Sequence, residues 1–208
     1  MKPFLVEEGI SNEMLSGIEQ HGYYIHRDII NITDAAALRA LMEIRYDQDQ
    51  FKKAGIGKGA SFSINEEIRK DSILWIEETS SSPILASYSS HIDGLISLLN
   101  RHFFLPLKDK ELMFAIYEKG SYYRKHRDRF AKQQHRFFTI ILYLTDWQKG
   151  DGGELVIYTD QGEVKVEPHQ GSFVIFTSET EHEVLPVFAR RYSITGWITD
   201  VPIGLTFL

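Results

Sequence analysis

The stretch that decides the fold begins ELMFAIYEKGSYYRKHRD at 111–128 and closes HEVLPVFARRYSITGWI at 182–198. Upstream of Glu111 apolar residues recur at helical spacing, whereas beyond it they alternate as strands require. Short strand-like runs cover 111–117, 137–144, 153–158, 163–167, 171–176, 182–186 and 190–198. Turn signals join them, notably Asp151-Gly152-Gly153, Asp160-Gln161-Gly162 and Gln170-Gly171. Many short strands at this spacing predict a mainly β fold, a sandwich or double-sheet jelly roll. N-terminal helices would pack on one of its sheets. We expect one domain over 1–208, with 111–208 as jelly-roll core and 1–110 as helical and strand support carrying a flap.

Alternation also says which side chains share a face. Along 191–197 it groups Arg191, Ser193, Thr195 and Trp197, with Tyr192, Ile194 and Gly196 opposite. Thr139, Ile141 and Tyr143 share a face of another strand, Leu155 and Ile157 of a third, and His182 and Val184 of a fourth. A guanidinium among hydrophobes is costly unless an anion meets it. One partner for Arg191 is a protein acid at the sheet edge. The other is an entering dicarboxylate, taken in a fork by Arg191 with a third hydrogen bond from Tyr143.

Three His-x-Asp pairs occur where chance predicts about half a match, so the pair alone means little. His91 and Asp93 sit in an expected helix, where residues two apart point roughly 200° apart and cannot share an ion. His26 and Asp28 could share a strand face, but a helical run follows with no early third ligand. His26 is then a structural histidine. Only His126 and Asp128 are followed by strands, a spaced His182 and a strand-borne Arg191. Two imidazoles and one carboxylate leave half of an octahedral metal open, the ligand type of non-haem Fe(II) oxygenases. The competing reading is an ordinary surface His and Asp.

The N-terminal half reads as a helix over 11–21 capped by Ser11 or Asn12, a strand over 23–30, and a helix opened by Thr33 and Asp34. Residues 51–65 hold three glycines and three lysines, which suits either a tolerated insertion or a flap over a site. Strand character resumes over 68–77, and a helix to about 102 turns Ile92, Leu95, Ile96 and Leu99 inward. Arg124, Lys125, Arg127, Arg129, Lys132 and Arg136 surround the single acid Asp128. That basic rim is either a solvated loop or a dock for an acidic segment or phosphate backbone.

Bulk properties narrow the classes. A net charge of −6 argues against general nucleic-acid coating, and zero cysteine removes disulfides, zinc-thiolate sites and thiol nucleophiles. No apolar run reaches the ~18–20 residues of a membrane span, and residues 1–10 show no secretory pattern. The expectation is a cytoplasmic protein without membrane association.

Taken together, the local matches resemble the 2-oxoglutarate- and Fe(II)-dependent prolyl hydroxylases, near the hypoxia-factor prolyl hydroxylases and their bacterial relatives. They are IRKDSILWIE at 68–77, His126-x-Asp128, Tyr143-Leu144 before a Trp-containing turn, Gly152-Gly153-x-Leu155, His182-Glu-Val, and Arg191-Tyr-Ser-Ile-Thr-Gly-Trp197. The resemblance implies a double-stranded β-helix, a jelly roll of the cupin-like kind, in which His126, Asp128 and His182 hold iron. It implies that Arg191 and Tyr143 bind the distal carboxylate of 2-oxoglutarate, in a pocket shaped by Thr195, Ile141, Leu155, Val184 and Met113. Tyr117 and Tyr123 would stand near the metal-bound end and Trp197 beside the substrate channel. Arg69, Asp71 and Trp75 would border a mobile flap, with Asp71 pairing Arg136. Dioxygen would be the oxidant, with ascorbate as a possible reductant. A monomer acting on a proline-bearing protein is implied, elongation factor Tu first and a hypoxia-type transcription factor next. Alternatives are another protein residue, a small molecule or nucleic acid, or a cupin-type metal module without oxygenase activity. Nucleic-acid demethylases generally carry a second Arg six residues after the first, where this chain has Trp197.

Overall fold

The computed structural model describes residues 8–55, 63–77, 82–129 and 134–202. Among these residues three helices, α1 (Glu8–His21), α2 (Ile32–Asp47) and α3 (Pro83–Phe103), accompany eleven strands. The strands are β1 (Tyr23–His26), β2 (Lys52–Lys53), β3 (Ser72–Trp75), β4 (Asp109–Tyr117), β5 (Tyr123–His126), β6 (Arg136–Tyr143), β7 (Leu155–Thr159), β8 (Gly162–Val166), β9 (Phe173–Thr177), β10 (His182–Val184) and β11 (Arg191–Thr199). They form a seven-stranded sheet, ordered β1-β9-β6-β11-β4-β3-β2, and a four-stranded sheet, β5-β10-β7-β8. Every pairing between the named strands is antiparallel. The jelly roll expected from 111–208 is therefore present, but its larger sheet also takes β1, β2 and β3 from the N-terminal half. Among the described residues no helix is long and apolar enough to cross a membrane.

The two faces of the larger sheet do different work. Leu112, Phe114 and Ile116 of β4, Ile140 and Leu142 of β6, and Tyr192, Ile194 and Ile198 of β11 join the core beneath the helices. There they meet Leu38 and Met42 of α2 and Ile92, Leu95, Ile96 and Leu99 of α3, all buried as the helical spacing predicts. Alternate residues, Ile141, Tyr143, Val174 and Phe176, face Leu155 and Ile157 of the smaller sheet. That inner face is where the chemistry-bearing side chains collect.

Several boundaries differ from expectation. α1 starts at Glu8, so Ser11 and Asn12 lie inside it rather than capping it. α2 is capped by Asn31, whose side chain accepts from the Asp34 N–H at 2.8 Å. The strand expected over 23–30 stops at His26, and Asp28 takes φ +60° in the turn beyond it. The run expected over 68–77 pairs as β3 only from Ser72 to Trp75. Part of the expected flap, 56–62, lies outside the described residues.

Candidate metal centre and its pocket

His126 closes β5 and His182 opens β10, and the two are register partners across the smaller sheet. Each Nδ1 lies against a backbone carbonyl, Arg124 at 2.7 Å for His126 and Thr180 at 3.0 Å for His182. A carbonyl can only accept, so each Nδ1 carries a proton, which leaves each Nε2 as the atom that offers a lone pair when the ring is neutral. Both Nε2 atoms turn toward Asp128: His126 Nε2 is 3.5 Å from Oδ1 and His182 Nε2 is 3.4 Å from Oδ2. One ligand atom from each lies within 4.8 Å of the others, the one such group among the described residues. Burial would raise the Asp128 carboxyl, but His182 and His126, by charge and hydrogen bond, hold it well below the usual carboxylate range. Burial, then the charge of His182, lowers the His126 imidazole and keeps it neutral. An ionised Asp128 and a neutral His126 are the protonation states that metal ligation needs, and two imidazoles with one carboxylate fit Fe(II) with open positions.

Around these ligands sit supports that the sequence had shown only in part. Tyr123 stacks on His126, ring centroids 3.5 Å apart at 16°, and the Arg69 guanidinium lies 4.3 Å over Tyr123. Burial pushes the Tyr123 hydroxyl up to about 12, so the ring is a neutral phenol. Phe176 meets His182 edge-on at 4.7 Å. Thr139 donates to Asp128 Oδ2 at 2.7 Å and lies 3.0 Å from the Ser178 hydroxyl. Alternation with Ile141 and Tyr143 places Thr139 on the inner face, so its position was legible; Ser178, in a turn, gave no signal.

Arg191 is 2% exposed and its guanidinium carbon lies 4.9 Å from both the Tyr117 and the Tyr143 rings. Its hydrogen bond is a long one, 3.5 Å from Nη1 to Ser193 Oγ, while Arg191 Nε and the Tyr143 hydroxyl have no hydrogen-bond partner among the described residues. Among the described residues no carboxylate pairs with Arg191, which removes the sheet-edge acid as its explanation. Burial raises the Tyr143 hydroxyl against the pull of Arg191, leaving it protonated and able to donate. A buried, incompletely satisfied guanidinium is expensive unless an anion enters. Thr195 stands between its partners Met113 on β4 and Ile141 on β6, Leu155 packs with Ile141 and Tyr143, and Val184 packs with Tyr117. Tyr123 packs against this last group, which joins the metal ligands to the arginine end. Gly153, at φ +73°, lets the chain pass Arg191: a Cβ there would lie 3.0 Å from Arg191 Cδ.

At the outer end Arg136 lies 3.3 Å over Trp197, whose ring is 6.1 Å from the half-exposed Trp75. The expected pairing of Asp71 with Arg136 is not formed. Asp71 instead takes both Nε and Nη2 of Arg69, at 2.7 and 2.5 Å, and Arg136 binds the buried Glu111 at 2.8 Å. The reason is register. Trp197 of β11 is partnered by Glu111 on β4 and Thr139 on β6, so Glu111 and Arg136 flank one ring, whereas Asp71 lies a strand farther out. The basic rim is also less bare than its composition suggests: Lys125 and Arg127 reach Glu181, and Arg129 reaches Glu179. Lys132 lies outside the described residues. His26 bonds Tyr24 at 2.8 Å as a structural histidine, and Asp93 pairs with Lys110.

Residues 112–199 match the family model of the 2OG-Fe(II) oxygenase superfamily. A PKHD-type hydroxylase of Prochlorococcus marinus is 30% identical over 154 residues, covering 64% of this chain and 70% of that protein. The hypoxia-inducible factor prolyl hydroxylase of Caenorhabditis elegans is 30% identical over 146 residues, 65% of this chain but only 20% of its own length. The crystal structure of a Pseudomonas putida prolyl-4-hydroxylase superposes with a TM-score of 0.81 at 33% identity, covering 91% of this chain and 98% of that one.

Proposed function

This chain belongs to the 2OG-Fe(II) oxygenase superfamily, and from that premise we propose that it hydroxylates a prolyl residue of a protein substrate. The observation that carries the co-substrate assignment is the buried Arg191, which no carboxylate of the described residues meets, between Tyr117 and Tyr143 and behind a triad of metal-ligand type. In this proposal His126, Asp128 and His182 hold Fe(II). Arg191 and Tyr143 take the distal carboxylate of 2-oxoglutarate, with Thr195, Ile141, Leu155, Val184 and Met113 as walls. Bound iron and 2-oxoglutarate supply the oxygen activation, with succinate and carbon dioxide released. The chain's own contribution is orientation and exclusion of water. Tyr117 and Tyr123, neutral because burial raises both hydroxyls, offer donors and apolar faces rather than charge. Trp197, Arg136, Arg69, Asp71 and Trp75 form the mouth that receives the peptide, where the unpartnered Trp197 Nε1 can donate to a peptide carbonyl.

The prolyl substrate is supported by likeness to proteins named as prolyl hydroxylases. Elongation factor Tu is the first target to try and a hypoxia-type transcription factor the second. We read residues 1–208 as one catalytic domain acting as a cytoplasmic monomer, with ascorbate as auxiliary reductant. The test is mass spectrometry of the host proteome supplied with the wild-type chain or with Asp128→Ala. The expected result is a gain of one oxygen on a proline, present only with the wild type. A gain confined to another residue type would overturn the prolyl assignment, as would an equal gain with the variant.

A further inference from the structure

The geometry points to Thr139 and Ser178 as positioning residues for the metal centre: a directional pair of hydroxyls that engages one oxygen of Asp128 and leaves the other to the ion. The two imidazoles are fixed by the β5–β10 ladder and by their carbonyl partners. Asp128 has no such support, because it sits on a bend two residues past β5. A carboxylate torsion is broad and roughly two-fold, so a ligand in that place needs an external hold.

That hold is buried and has a fixed sense. Asp128, Thr139 and Ser178 are 6%, 1% and 0% exposed. Thr139 Oγ1 is 2.7 Å from Asp128 Oδ2, and Ser178 Oγ is 3.0 Å from Thr139 Oγ1. An ionised carboxylate only accepts, and a hydroxyl has one proton. Thr139 therefore gives its proton to Oδ2, and Ser178 must donate to Thr139. Ser178 is itself pinned, its N–H donating to the Phe137 carbonyl at 2.9 Å and its carbonyl accepting from the Arg129 N–H at 2.8 Å. It thus ties β6, two residues before Thr139, to the residue that follows Asp128. With Oδ2 engaged, ligation through Oδ1 alone leaves three positions of an octahedral ion open; chelation through both oxygens would fill one of them.

This inference rests on the metal reading of the triad, and Co(II), a spectroscopic stand-in for Fe(II), separates the two. Apo-protein is titrated with Co(II) by calorimetry and by its visible d–d absorption. Thr139→Val is expected to weaken Co(II) binding about 10- to 100-fold and to change the d–d intensity, which reports coordination number. Thr139→Ser should restore both. Ser178→Ala should cost less, and nothing further in the Thr139→Val background, because it acts only through Thr139. Wild-type affinity and spectrum in Thr139→Val would overturn the inference, as would a Ser178→Ala loss that adds fully to the Thr139→Val loss. No Co(II) uptake by the folded wild type would overturn the metal reading and this inference with it. Should Thr139→Val fail to fold by near-ultraviolet circular dichroism, Ser178→Ala and Thr139→Ser carry the test. Unchanged affinity in Ser178→Ala would then overturn it.

Discussion

A Cβ on Gly196 would lie 2.2 Å from the Glu111 carbonyl oxygen and 2.6 Å from Leu112 Cδ2. Real contacts do not come so close, so β4 and β11 can pair here only because the side chain is missing. Gly196 partners Leu112, and the next pair, Trp197 with Glu111, places the carboxylate that holds Arg136. Gly196→Ala should therefore destabilise the fold by about 1–3 kcal/mol, the usual cost of overpacking, read as a lower urea midpoint. From sequence, alternation put Gly196 on the face of its strand opposite Arg191, with Tyr192 and Ile194. Why that position must be glycine became visible only with the neighbouring strand in place.

Among the elements, α2 shows how little of its stability involves the site. Its first turn is closed by the Asn31 side chain, and its inward residues Ala35, Leu38 and Met42 are buried. Asn31→Ala should cost about 1 kcal/mol, the typical value of a lost N-cap, measured by thermal unfolding, with Co(II) affinity unchanged. Pattern alone opened this helix at Thr33 and Asp34, whereas its cap is Asn31. The choice turns on which residue holds extended backbone while its side chain reaches back to an N–H. Strand periodicity was the surer guide, because a sheet buried on both faces tolerates no slip of register. β5 and β10 are short, yet between them they carry both imidazoles, since each needs only a ladder position and a carbonyl for its Nδ1.

At the scale of the molecule, a chain of contacts runs from Asp71 to the metal centre. Asp71 fixes Arg69, Arg69 covers Tyr123, and Tyr123 stacks on His126. The Arg69–Asp71 pair is buried, with side chains 8% and 0% exposed. Removing one member of a buried pair leaves an uncompensated charge. Asp71→Asn should thus cost about 3–5 kcal/mol in chemical denaturation, and Co(II) binding should weaken as Tyr123 and His126 lose their support. Full stability in the variant would mean that Arg69 finds its stabilisation elsewhere.

The linear order of residues was enough to determine the mainly β architecture, the inner face of Arg191, Thr195, Ile141 and Tyr143, and the choice of His126, Asp128 and His182 over two other His-x-Asp pairs. Those follow from period and spacing, which are local and need no knowledge of neighbours. Tertiary structure alone decided the partners of the charged groups: Glu111 rather than Asp71 for Arg136, Glu179 and Glu181 along the basic rim, and Ser178 behind Thr139. Such pairings depend on which strands lie side by side and in what register. Distances of a few ångströms between residues far apart in the chain leave no trace in its periodicity.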